Sequence, residues 1–292
     1  MPNRIDFNEA QRISNEQEIK EHQQKQREYY SGTNRIDKKF QDLGEKKALI
    51  SFITGGHFGY ETTKKLVLEM EKNGVDIVEI GVPFSDPVAE GAVIQKSSAE
   101  ALSQGATLAG IFRCIEDLRV VTQIPILLML YINSIFAYGT ENFFQRCREY
   151  GVDGVIVPDL PLEEYGEISE FADRFNVHSI HLIAPTSKDR IDKITKDTKG
   201  FIYCVSSNGV TGMRSEFQTD FDQFFSDIKK HSSTPACVGF GISNPEQAKK
   251  MSKFCDGVIV GSAIVKIVSD YGENSISKVA EFVKSLRDAI DN

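Results

Sequence analysis

The chain has 292 residues, 40% hydrophobic and 26% charged, a globular balance that suits one large α/β barrel or two smaller domains. A net charge of −8, with both signs mixed along the sequence, argues against a nucleic-acid groove, and no apolar run reaches the ~18 residues of a membrane span. The five cysteines, Cys114, Cys147, Cys204, Cys237 and Cys255, form no CxxC pair, and Met1-Pro2-Asn3 opens no signal-peptide core, so neither a disulfide framework nor a zinc site is indicated and a cytoplasmic protein is expected.

Residues 1–33 are rich in Gln, Glu, Lys and Arg. They read as a polar extension, helical or disordered, that cannot carry a core alone. The main domain is expected over 34–292. It opens with a short amphipathic helix in which Ile36, Phe40 and Leu43 recur at helical spacing. Strand and helix signals then alternate. Ala48–Thr54 is a strand ended by Gly55-Gly56, and Glu61–Asn73 a helix stopped by Gly74. Asp76–Gly81 is the second strand. Two helices, Ala92–Gln104 and Leu108–Val121, are split by Gly105. Pro125–Tyr131 is the third strand, with a helix at Glu141–Tyr150. Asp153–Val157 is the fourth, with a helix from Leu162 to Phe175. The fifth is His178–Ile183, with a helix over Lys188–Thr195. The sixth is Phe201–Val205, with a helix over Asp220–His231. The seventh is Ala236–Val238, with a helix over Pro245–Lys253. The eighth is Gly257–Val260, and a last long helix runs from about Ser275 to Ala289. Eight regular strand–helix units predict a (β/α)8 TIM barrel with an additional N-terminal helix, in preference to an open doubly wound sheet.

The second strand carries the strongest chemical signal. Glu79 interrupts the apolar run Ile77-Val78-Ile80, and a carboxylate there must be paired or hold its proton. It lies at a strand's C-terminal end, where barrels build active sites, beneath a loop carrying Asp86 and Glu90. A structural Glu bound to a neighbouring strand is the plainer alternative. Three Gly-rich segments follow the last strands: Ser206–Gly212, Gly239-Phe240-Gly241-Ile242-Ser243 and Gly261–Lys266. Glycines let backbone N–H groups approach a ligand, so these segments predict a phosphate seat. Lys266 falls a turn inside the final helix and is not expected to touch the phosphate. Phe52, Tyr131, Tyr203 and Phe240 sit at strand ends, where they can line an apolar slot or simply pack the barrel. Asp159 follows the fourth strand, as a turn-fixing Asp or a contact to the loop after strand two. His178 and His181 face opposite sides and form no metal pair.

Four runs, Glu79–Pro87, Asn208–Gly212, Gly239–Ser243 and Gly261–Lys266, resemble the tryptophan synthase alpha chain family, over about Asn34 to the C-terminus. The resemblance implies a carbon–carbon lyase that splits indole-3-glycerol phosphate into indole and glyceraldehyde 3-phosphate. It implies no cofactor in this chain. The partner would be a pyridoxal-phosphate beta chain, in an α2β2 heterotetramer. Carried onto this sequence, Glu79 is the general acid–base and Glu90 the second catalytic carboxylate. Phe52, Tyr131, Asp159, Tyr203, Thr211 and Phe240 fall on the substrate pocket. Gly212, Gly241, Gly261 and Ser262 fall on the phosphate seat. Three sites depart from the family pattern: Glu90 replaces an Asp, Gly91-Ala92 follow it where the family has Gly-Pro, and His57-Phe58 stand where Asp-Pro is common. These leave two other readings open, a weakly active member serving mainly as allosteric partner of the beta chain, or a barrel lyase for a related indole phosphate ester.

Overall fold

In the computed structural model, which describes residues 32–196, 198–205, 220–239 and 241–292, every strand pairing is parallel. The elements in chain order are α1 (Arg35–Leu43), β1 (Ala48–Thr54), α2 (Tyr60–Lys72), β2 (Ile77–Gly81), α3 (Ala92–Ser103), α4 (Leu108–Arg119) and β3 (Ile126–Met129). They continue with α5 (Ile132–Tyr138), α6 (Thr140–Tyr150), β4 (Gly154–Ile156), α7 (Gly166–Arg174), β5 (His178–Ile180), β6 (Leu182–Ile183) and α8 (Ile191–Lys196). The last are β7 (Ile202–Val205), α9 (Phe221–His231), β8 (Ala236–Gly239), α10 (Pro245–Ser252), β9 (Gly257–Val260), α11 (Ser262–Tyr271) and α12 (Ile276–Asp291).

The sheet runs β5-β4-β3-β2-β1-β9-β8-β7-β6. Its two ends are halves of one extended segment separated by His181 alone, so the sheet closes on itself as the expected barrel. The fifth strand splits because it changes partner: His178–Ile180 pair with β4, and Leu182–Ile183 with β7.

Three other differences from expectation have local causes. The short α5 is ended by Gly139 at φ 85° and is too brief to show a helical period. The helix expected from Leu162 begins as a 3-10 turn over Leu162–Glu164 before α7. The last long helix stands where expected, as α12, but a separate helix, α11, precedes it and carries Lys266, and the chain turns between the two at Gly272 with φ 55°.

Two packed layers follow from strand alternation. Outward residues such as Leu49, Ile53, Val78, Ile80, Leu128 and Val155 pack under the helices. Inward residues Ile50, Ile77, Leu127, Ile156, Ile180, Phe201, Tyr203, Cys237 and Ile259 fill the barrel. Helix α1 caps the N-terminal end by adding Ile36 to that inner cluster, with Phe40 and Leu43 packed against it. Gly154 and Gly200 make room for it: a Cβ at either would meet an Ile36 carbon at 3.1 or 3.2 Å. A buried ion cluster locks the cap. Asp153 takes Arg35 Nη1 at 2.8 Å and Arg119 Nη2 at 2.9 Å, and accepts the Ile126 N–H at 2.8 Å. Asn34 caps α1 through the Ile36 N–H and donates to the Asp153 carbonyl.

Candidate active site

The inward register of β2 runs Ile77, Glu79, Gly81. Glu79 therefore points into the barrel near the C-terminal end of its strand, paired across the ladder with Phe52 on one side and Leu127 on the other. It is fully buried, and among the described residues neither carboxylate oxygen has a hydrogen-bond partner. Burial alone pushes it up from 4.5 to about 8. At neutral pH it therefore holds its proton, which is the state a general acid needs. Gly81 follows because no side chain fits there: a Cβ would meet the Phe52 ring at 2.4 Å.

Glu79 opens into a cleft at the C-terminal end of the barrel that, together with the open solvent at its mouth, measures about 650 Å³. Phe52, Met129, Leu182 and Tyr203 form apolar walls, and Glu90 enters from the β2–α3 loop. Across the mouth lie Gly241, Gly261 and Ser262. Gly241 has φ 81°, a conformation that favours glycine. Gly261 caps α11 and Ser262 opens it, so the free N–H groups there form the positive end of the helix dipole. Thus one cleft holds a protonated acid, a second carboxylate, apolar walls and a glycine-lined helix N-terminus.

Glu90 is half-buried. Burial raises its pKa, while the hydrogen bond from the Tyr131 hydroxyl opposes that rise, and the charge of Asp159 adds to it. Tyr131 does not line the cleft. It is buried beneath the loop, stacks on Phe84 with ring centroids 4.9 Å apart, and holds the loop from below. Asp159 acts locally, accepting the Ile132 N–H at 3.0 Å to cap α5, so it fixes the turn after β3. Tyr203 stands across from Glu79, and its hydroxyl is held well above the ordinary tyrosine range by burial and then by the Glu79 charge. Thr211, Gly212 and Phe240 lie outside the described residues. Lys266 pairs with Asp270 at 2.8 Å on the exposed face of α11, away from the seat.

Sequence reasoning passed over Met129, Pro158, Leu182 and Ile259, which also line the cleft. Counting in steps of two along the third strand was the available signal, since Leu127 and Met129 alternate inward just as Ile77 and Glu79 do.

No helix among the described residues is long and apolar enough to cross a membrane. The family model for the tryptophan synthase alpha chain matches residues 40–291. The tryptophan synthase alpha chain of Thermoanaerobacter pseudethanolicus is 47% identical over 261 residues, covering 88% of this chain and 100% of that protein. That of Clostridium acetobutylicum is 49% identical over 222 residues, covering 75% and 84%. The crystal structure of tryptophan synthase subunit alpha from Legionella pneumophila superposes with a TM-score of 0.81 at 33% identity, covering 89% of this chain and 100% of that one. A chain of the tryptophan synthase α2β2 complex from Pyrococcus furiosus superposes with a TM-score of 0.77 at 34% identity, covering 82% and 98%. A barrel with a protonated interior Glu, matched along nearly its whole described length by these relatives, belongs to the tryptophan synthase alpha chain family.

Proposed function

We propose that this lyase cleaves indole-3-glycerol phosphate, the known substrate of its family, with Glu79 as general acid–base and Glu90 as the carboxylate facing the indole nitrogen. The observation that carries the reading is the buried Glu79, unpaired among the described residues, opening into the same cleft as Glu90 and the Gly241–Gly261–Ser262 seat. Retro-aldol cleavage needs a proton on indole C3, loss of the proton from the glyceryl hydroxyl next to the ring, and rupture of the carbon–carbon bond between them. A carboxylic acid near C3 donates the first proton and, once ionised, accepts the second as the aldehyde forms. Protonation at C3 puts positive charge on the indole nitrogen. A carboxylate facing that N–H gains strength as the charge develops. The apolar walls suit the indole ring, with Thr211 and Phe240 on the substrate pocket by family position, and the Gly-rich seat with the α11 N-terminus suits the phosphate, together with Gly212 by family position.

In this reading the chain needs no cofactor of its own, works in the cytoplasm, and passes indole to a beta chain carrying pyridoxal phosphate in an α2β2 assembly. The α2β2 source of the Pyrococcus furiosus neighbour supports that partnership. The decisive experiment measures indole release by the purified chain, alone and with its beta chain, for the parent and Glu79→Gln. The amide keeps the shape but shuttles no proton, so release should be abolished while glycerol phosphate still binds. Turnover of the variant within about tenfold of the parent would refute the assignment. A parent that binds and stimulates the beta chain but releases no indole would instead establish the allosteric-partner reading.

A further inference from the structure

The end of β1 and the loop after it are fastened to α3 and its C-cap at three points. Thr54 Oγ1 and Ser97 Oγ lie 2.6 Å apart, His57 Nε2 is 2.8 Å from Glu100 Oε2, and the Phe58 N–H donates to Gln104 Oε1 at 3.0 Å. Residues 97, 100 and 104 are spaced by three and four, so they form one stripe of the helix. The middle fastening joins a buried ring to a partly exposed carboxylate. His57 is 2% exposed, and its ring lies 4.3 Å from that of Phe58. Phe58 itself has φ 58°, a left-handed conformation that a bulky residue keeps only where its surroundings over-determine it.

What α3 carries makes this fastening matter. Gly91 is its N-cap, directly after Glu90, and the Gln95 side chain in its first turns donates to the Glu90 carbonyl at 2.9 Å. Ile94 packs with Phe52, the residue paired with Glu79. Any shift of α3 along or about its axis is therefore passed to the base of the catalytic loop. The phosphate seat stands on other elements, the turn after β8 and the start of α11.

We infer that His57, through Glu100, is a positioning residue: it holds α3 in the register that aims Glu90 at the substrate of the reaction proposed above, on which this inference rests. It touches no reacting atom. It also gives the His at this position, a departure from the family's usual Asp-Pro, a defined task in this chain.

The test compares the parent with His57→Ala, His57→Gln and Glu100→Ala. Glutamine keeps a nitrogen donor near the place of Nε2. Loss of the latch displaces a catalytic group without removing it, so kcat for indole release should fall about tenfold in both Ala variants, with the Kd for glycerol phosphate within about twofold of the parent. His57→Gln should recover most of the loss. Amide hydrogen exchange at residues 88–94 should quicken in His57→Ala and return in His57→Gln. Unchanged kcat in the folded Ala variants overturns the inference. So does a loss that glutamine does not restore, or a parallel loss of phosphate affinity. If the parent releases no indole, the proposed reaction fails and the exchange data alone decide. Quickening at 88–94 that glutamine reverses then upholds the latch, and unchanged exchange removes it.

Discussion

The Tyr131 hydroxyl donates to Glu90 Oε2 and at the same time accepts the N–H groups of Val88 and Ala89, each at 2.9 Å. One phenol thus holds the carboxylate proposed to face the indole nitrogen and the backbone that carries it. The arrangement answers the question raised by the longer side chain at position 90. A carboxylate on a rigid strand cannot absorb an extra methylene, but one on a loop can, provided the loop is held where the longer reach fits. Tyr131, itself fixed by burial and by its stack on Phe84, does the holding.

Tyr131→Phe removes all three hydrogen bonds and keeps the ring. Turnover should fall about tenfold from misplacement of Glu90. The pH dependence should also move in a defined direction. The lost hydrogen bond was lowering the Glu90 pKa, so the acidic limb of the kcat profile should shift to higher pH. A limb that stays in place would show that the bond does not persist with substrate bound.

The side chain at position 90 can be varied directly. Glu90→Asp restores the family residue on a loop built for Glu, and turnover under saturating substrate should change only modestly. Glu90→Ala deletes a transition-state partner and should cost about a hundredfold or more. Full activity in Glu90→Ala would remove this residue from the chemistry.

Glu79 should also leave a mark on stability. The unfolded chain releases the Glu79 proton near 4.5, and the folded chain near 8. Between those values the folded state binds the extra proton, so stability is fully present below the unfolded pKa and falls as pH rises through the window, by about 5 kcal/mol. Glu79→Gln has no proton to lose there. Urea denaturation at about pH 5 and about pH 9 should show a smaller decline for the variant than for the parent. Equal declines would mean that Glu79 ionises in the fold without penalty.

The two ends of the N-terminal region should differ sharply. Residues 1–31 have the composition of a solvated segment, and a chain beginning at Gly32 should keep its melting temperature and activity. Asp153→Asn, by contrast, leaves Arg35 and Arg119 buried without their counter-charge and should cost about 3–5 kcal/mol. Calorimetry of both proteins decides the matter. A large fall in melting temperature for the shortened chain would show that residues 1–31 pack on the barrel.

The barrel was legible in the sequence because each β/α unit announces itself locally. Strands such as Ile126–Met129 are continuous apolar runs, and Gly74, Gly105 and Gly151 stop helices where expected, each at positive φ. Glu79 was legible for the opposite reason, as a charge in a place where solvation is lost. Other features were out of reach. The split of the fifth strand at His181 depends on which neighbours each half meets, a relation set by barrel closure. The placing of Tyr131 under the loop, instead of in the cleft wall, depends on the turn that Asp159 fixes after β3. The His57–Glu100 contact joins residues 43 apart in sequence, and neither carries a motif.

Helix α1 has one more consequence. With Ile36 seated over Gly154 and Gly200 and its ion cluster sealed behind it, the barrel is, among the described residues, a blind vessel with its doorway at the opposite end. Whatever enters to meet Glu79 and whatever is released there pass the same threshold, beside the loop that Tyr131 holds. Freed indole finds no back exit past α1, so a subunit that collects it must stand over the doorway. The sealed end is left to durability alone: changes there should alter how long the vessel lasts, and not what passes through it.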